Sequence, residues 1–172
     1  MLFIEVQKIM ADLKLIPNLK ILSSSKLPLV LLMLVNVFGS LPAWSAVPIA
    51  CIGKNNIVKL EVVSTPAEVQ RGLMYRTSLP EGTGMVFLFH PPKPEKFWMY
   101  HTLISLDMCF IYKDHIVKIF ENVPPCRSEN PNDCPTYPAS GIGINVSEVI
   151  ELPAGYVKKH GIKEGDKITF QL

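Results

Sequence analysis

Asp107 stands in an almost wholly apolar run, Ile104-Ser105-Leu106-Asp107-Met108-Cys109-Phe110. A carboxylate there must be paired, solvated at a strand end, or protonated, because an isolated buried charge is expensive. Arg71 and Arg76 are the cations assigned to it. Two roles are open: an ion pair that fixes a helix against a sheet, or a polar group at the mouth of a pocket that orients a small ligand. A second constellation is Phe97-Trp98-Met99-Tyr100-His101-Thr102. Strand alternation places Phe97, Met99 and His101 on one face and Trp98, Tyr100 and Thr102 on the other. Thioether and imidazole ligands suit Cu(I), so Met74, Met85, Met99 and His101 form a candidate metal set with Trp98 above it. The structural alternative is that methionines fill irregular gaps in the core.

Asp107 and His101 would also serve a hydrolase, provided both reach one substrate atom. No closely spaced histidine pair and no CxxC offers a zinc site. A Gly-x-Ser-x-Gly elbow and a phosphate-cradling glycine loop are absent as well. Without a catalytic constellation, the reading is a non-catalytic module that binds a glycan or a small metabolite. Arg71, Met74, Trp98, His101 and Asp107 are placed around its groove, and no cofactor is expected apart from the Cu(I) alternative.

Cys126 and Cys134, with seven residues between them, lie in a segment, 122–138, that contains five prolines. In an oxidising compartment they are expected to form a disulfide. Cys109, between Met108 and Phe110, reads as a buried thiol. Cys51 is left free, bridged to Cys109, or lipidated.

The elements that must position these groups are short. Val58, Leu60 and Val62 alternate with Lys59, Glu61 and Val63, a half-buried strand. Thr65-Pro66-Ala67-Glu68 combines a capping threonine, an N-terminal proline and a glutamate three positions on, which starts a helix; Gly72 ends it. Met85–Phe89, Lys96–Thr102, Leu106–Tyr112, His115–Phe120, Ile144–Leu152 and Lys167–Leu172 read as further strands, with Lys113-Asp114 as a tight hairpin. A second short helix falls within 153–160. The fold expected is mainly β with two short helices (α+β), a small and mostly antiparallel barrel or rolled sheet.

The first 45 residues read differently. Four lysines, an apolar run from Leu27 to Phe38, the breakers Gly39 and Pro42, and Ala43-Trp44-Ser45 resemble a secretory signal, with cleavage after Ser45. The run is shorter than the ~20 apolar residues of a spanning helix, although an uncleaved anchor is the alternative. Residues 46–56 read as a linker and 57–172 as one domain. The chain has 17 basic and 15 acidic residues, and four of the basic and two of the acidic ones fall within 1–45. The remainder is neutral, which speaks against phosphate-driven nucleic-acid binding. An exported monomer, periplasmic or extracellular and free of the membrane after cleavage, is expected.

Four segments, in this order and spacing, resemble a known family. They are Arg71-Gly72-Leu73-Met74-Tyr75-Arg76, Gly84-Met85-Val86-Phe87, Phe97 to Met108, and Glu151-Leu152-Pro153-Ala154-Gly155. The family is the one catalogued as domain of unknown function 192, and the resemblance covers roughly 57–172. It implies a small, often exported β-rich domain with no established reaction. The family carries an amide and a proline where this chain has His101 and Ser105.

Overall fold

Thr65 opens the first helix in the way its neighbours predict. Its hydroxyl accepts from the Glu68 amide at 3.3 Å, and the Glu68 carboxylate accepts from the Thr65 amide at 3.0 Å. The Thr65 amide, then its hydroxyl and the Ser64 amide, hold the Glu68 carboxyl below its ordinary range. Helix α1 runs Pro66–Arg71 and stops at Gly72, whose φ of 42° is a left-handed value. A Cβ at Gly72 would also press on the Phe87 ring at 3.1 Å.

The structure, a computed structural model, describes residues 46–138 and 144–172. The export signal read in 1–45 lies outside the described residues. Among the described residues no helix is long and apolar enough to cross a membrane. The strands are β1 (Ile49–Ile52), β2 (Asn56–Val63), β3 (Thr83–Lys93), β4 (Lys96–Trp98), β5 (Leu106–Tyr112), β6 (His115–Val123), β7 (Thr136–Pro138), β8 (Val146–Pro153) and β9 (Ile168–Gln171). Helix α2 covers Tyr156–Lys159.

Seven strands form one curled mixed sheet in the order β6-β5-β8-β3-β2-β1-β9, while β4 and β7 pair separately. All neighbours are antiparallel except β2 and β3, which run parallel across the α1 crossover. Parallel strands cannot be joined by a tight turn, so the chain between them must leave the sheet and return. The Lys113-Asp114 hairpin between β5 and β6 has both residues at positive φ, as a two-residue turn matched to strand twist requires. Its tip meets the approach to β9: the Ile168 amide donates to the Asp114 carbonyl, and the Ile116 amide to the Asp166 carbonyl. The two edges of the sheet thus approach each other and the sheet becomes a half-barrel.

Both faces of the sheet carry core. One cluster includes Val58, Leu60, Ile150, Leu152 and the α2 residues Tyr156 and Val157. The other includes Met85, Phe87, Phe97, Met108, Phe110 and Val149, with Leu73 packed against it. Every residue of β5 from Leu106 to Ile111 is therefore buried, and its sequence reads as an apolar run without alternation.

Two boundaries differ from expectation. Ile49–Ile52, taken as linker, form β1, which pairs with β2 and β9 and buries Ala50 and Ile52. Four residues, all of them apolar or cysteine, carry too little periodicity to announce a strand. The strand expected over Lys96–Thr102 ends at Trp98, because β7 offers only three partners.

Candidate functional site

Asp107 is fully buried, and among the described residues it makes no ion pair with an arginine. Its Oδ1 accepts from the Asn122 amide at 2.8 Å and the Gly155 amide at 3.1 Å, and its Oδ2 from the Val157 amide at 2.8 Å. Gly155 and Val157 open α2, where the amides of the first turn have no helical partner. Asp107 caps that helix from across the sheet and ties it to β6. Arg71 lies at the exposed end of α1, and Arg76 pairs with Glu61 at 2.6 Å. The expected ion pair is thus replaced by three backbone donors, which satisfy a buried carboxylate without a second buried charge.

His101 departs from the expected face as well. Its φ of 55° breaks the strand alternation, so Thr102 turns inward and His101 outward. The imidazole stacks on Tyr75 at 4.9 Å between centroids and lies 3.8 Å from the Tyr100 ring. Tyr75 is also left-handed, at φ 64°, and its amide donates to the His101 carbonyl at 2.8 Å. Met85 and Met99 are buried in the same apolar cluster as Phe87 and Phe97. The candidate Cu(I) set is thus divided: two of its methionines pack as core, Met74 lines a groove at the surface, and His101 lines a different cavity.

Of the five residues placed around one groove, the structure brings together Arg71, Met74 and Trp98. With Gln70, Tyr100 and Pro131 they line an open cavity of about 390 Å³ between α1 and the disulfide loop. Trp98 is 37% exposed, and its ring lies 5.5 Å from that of Tyr100. The Tyr100 hydroxyl donates to the Glu129 carbonyl at 3.3 Å, which holds the ring upright as a wall. His101 lines a neighbouring cavity of about 410 Å³ with Arg127 and Glu129. Asp107 lines neither, so Asp107 and His101 do not converge on a shared cavity.

Beneath the groove lies a residue that sequence reasoning passed over. Glu151 is only 4% exposed, yet it lines a small cavity of about 30 Å³ shared with Arg71, Trp98, Tyr100 and Thr102. Its cross-strand partners are Met85 on β3 and Met108 on β5. Among the described residues its carboxyl has no side-chain or backbone donor and no cation within ion-pair distance. Burial pushes its pKa up to about 8, so it is chiefly neutral at pH 7. Alternation on β8 hides it, since Glu151 shares its face with Ser147 as well as with the buried Val149. On the other face of the sheet β3 and β8 also lie close, for a Cβ on Gly84 would lie 2.7 Å from the Glu151 carbonyl oxygen.

Cys126 and Cys134 form the expected disulfide, with Cα atoms 5.7 Å apart. Cys51 and Cys109 are both free, and burial pushes the Cys109 thiol upward, so it stays protonated. The bridge closes the loop that carries Pro131 to the groove wall. Replacing both cysteines of the bridge with serine is expected to cost roughly 2–3 kcal/mol on loop-entropy grounds. Chemical denaturation of the two forms checks this, and equal midpoints would show that the loop is held by other contacts.

The chain matches the family model DUF192, described as Uncharacterized ACR, over residues 49–170. The solved structure of a protein of unknown function from Novosphingobium aromaticivorans DSM 12444 is 32% identical to it. That match covers 76% of this chain and 91% of the other, with a TM-score of 0.61. A protein from Sinorhizobium meliloti 1021, provisionally called a transcription regulator, is 30% identical over 73% of this chain and 94% of its own, with a TM-score of 0.59. No curated protein matches this chain.

Proposed function

Because this chain belongs to the DUF192 family of uncharacterised proteins, we propose that it is an exported, non-catalytic module that binds a small polar ligand in the groove between α1 and Trp98. The observation that carries the reading is the convergence of an exposed indole, a guanidinium and a secluded carboxyl on one concavity. A stacking face with a few placed polar groups is the usual composition of a small-molecule site. Sugars and small metabolites are the ligand classes that fit.

Export is supported by the signal-like segment in 1–45 and by the Cys126–Cys134 bridge, which persists in oxidising compartments. The reading leaves DNA aside, although the Sinorhizobium protein is named for transcription. Outside 1–45 the basic and acidic residues balance, and no net positive field draws phosphates.

The chain has two tryptophans, Trp44 and Trp98. With Trp44→Phe in the full chain, Trp98 becomes the sole indole. A panel of sugars and small acids is then scored by melting temperature and Trp98 emission. A ligand present at about 100 times its Kd is expected to add about 2.7 kcal/mol to stability and to shift the emission. If no compound moves either signal, the groove is not a binding site for these classes.

A further inference from the structure

Glu151 and Arg71 line one small cavity under the groove, with the Trp98 and Tyr100 rings beside it. We propose that the groove takes a zwitterionic α-amino acid, its ammonium group seated on Glu151 and its carboxylate on Arg71. This rests on the binding-module reading of the same groove and names its ligand class.

Four features carry the assignment. The lower cavity, about 30 Å³, exceeds the roughly 10–15 Å³ that one water-sized group needs, and an ammonium group is of that size. Glu151, 4% exposed, lines this cavity, and no described residue brings a cation within ion-pair distance of it. The Trp98 and Tyr100 rings line the same cavity, and aromatic rings attract a nearby cation. Arg71, at the rim, presents the planar donor fork that carboxylates pair with. A sugar could hydrogen-bond the acid at the floor but brings no charge to pair with its ionised form.

The surroundings of Glu151 leave few other charges to answer it. From α1 there is Arg71, and from the segment after β4 there are the Tyr100 phenol and the Thr102 hydroxyl. From β3 and β5 come the thioethers of Met85 and Met108. Asp107 on β5 is committed to the amides of Asn122, Gly155 and Val157. With its pKa raised to about 8, Glu151 carries a proton at pH 7. When the ammonium group arrives, that proton leaves to solvent and a carboxylate–ammonium pair remains. No bond to carbon forms or breaks.

Isothermal titration of the full chain with each of the twenty amino acids, at pH 7 in phosphate and in Tris, tests this. At least one amino acid is expected to bind with close to one proton released, read as an enthalpy that differs between the buffers. Its affinity should rise by about tenfold from pH 6 to 7 and by a further fivefold or so from pH 7 to 8, because the ligand selects the ionised acid. The N-acetylated form of the same amino acid should bind at least about tenfold more weakly, having lost a charge-assisted contact. Glu151→Gln should release no proton. An amino acid that binds with no buffer dependence overturns the proposal. So does a panel in which none binds while a sugar shifts Trp98 emission, an outcome that keeps the groove as a binding site and rejects only its ligand class. If neither amino acids nor sugars move Trp98, both readings fall.

Discussion

Replacing Glu151 with glutamine is expected to stabilise the fold by roughly 4–5 kcal/mol at pH 8.5 and to change it little at pH 4. In the unfolded chain the carboxyl ionises near the ordinary glutamate value, about 4.3. In the folded protein, burial pushes that ionisation up to about 8. Between the two values the folded state holds a proton that the unfolded state has released. Stability therefore falls as pH rises through that window, and the full penalty is reached above it. The amide of glutamine keeps the shape of the neutral acid and never ionises, so the loss disappears. Glu68, Glu81 and Glu164 have carboxyls lowered by hydrogen bonds, and their contributions are lost only as pH falls below the ordinary carboxylate range. They leave the window to Glu151. Urea midpoints of the two proteins at pH 5 and pH 8.5 provide the measurement. Parallel pH dependence in both would show that Glu151 is solvated or paired in solution.

Asp107→Ala is expected to cost about 4 kcal/mol, because it removes the acceptor from three amides at once. Asp107→Asn should cost about half as much: one oxygen still accepts, while the new amide group faces donors it cannot bond. Arg71→Ala and Arg76→Ala should each stay within about 1 kcal/mol, as exposed side chains do. Thermal melts of the four variants separate this arrangement from an ion pair. An Arg71 or Arg76 variant that falls as far as Asp107→Ala would reinstate the ion pair.

Much of the fold is legible wherever a local rule suffices. Alternation marks β2, the threonine–glutamate pair marks the start of α1, and the Lys113-Asp114 step marks the hairpin. The parallel join of β2 to β3 is not legible, because strand direction is a property of the crossover rather than of either strand. The site divides in the same way. Arg71, Met74 and Trp98 were grouped from residue type, and they do meet. Asp107 was rightly singled out as a carboxylate in an apolar run, but its partners are backbone amides, which residue types do not reveal. His101 left its expected face through one left-handed backbone angle that carries no residue-type signal. Glu151 shares its strand face with Ser147 and Val149, so alternation reads it as an outward acid, and only the packing of β3 and β5 against β8 buries it.

The pairing of β1 with β9 joins segments separated by more than a hundred residues of sequence. A nascent chain therefore has β1 long before the partner that covers its outer edge is synthesised. Until Ile168–Gln171 emerge from the ribosome the sheet lacks the strand that pairs with the outer edge of β1. A sheet closed this way gains the contacts of its last strand only after translation has passed Ile168–Gln171, so its folding waits on a long-range pairing.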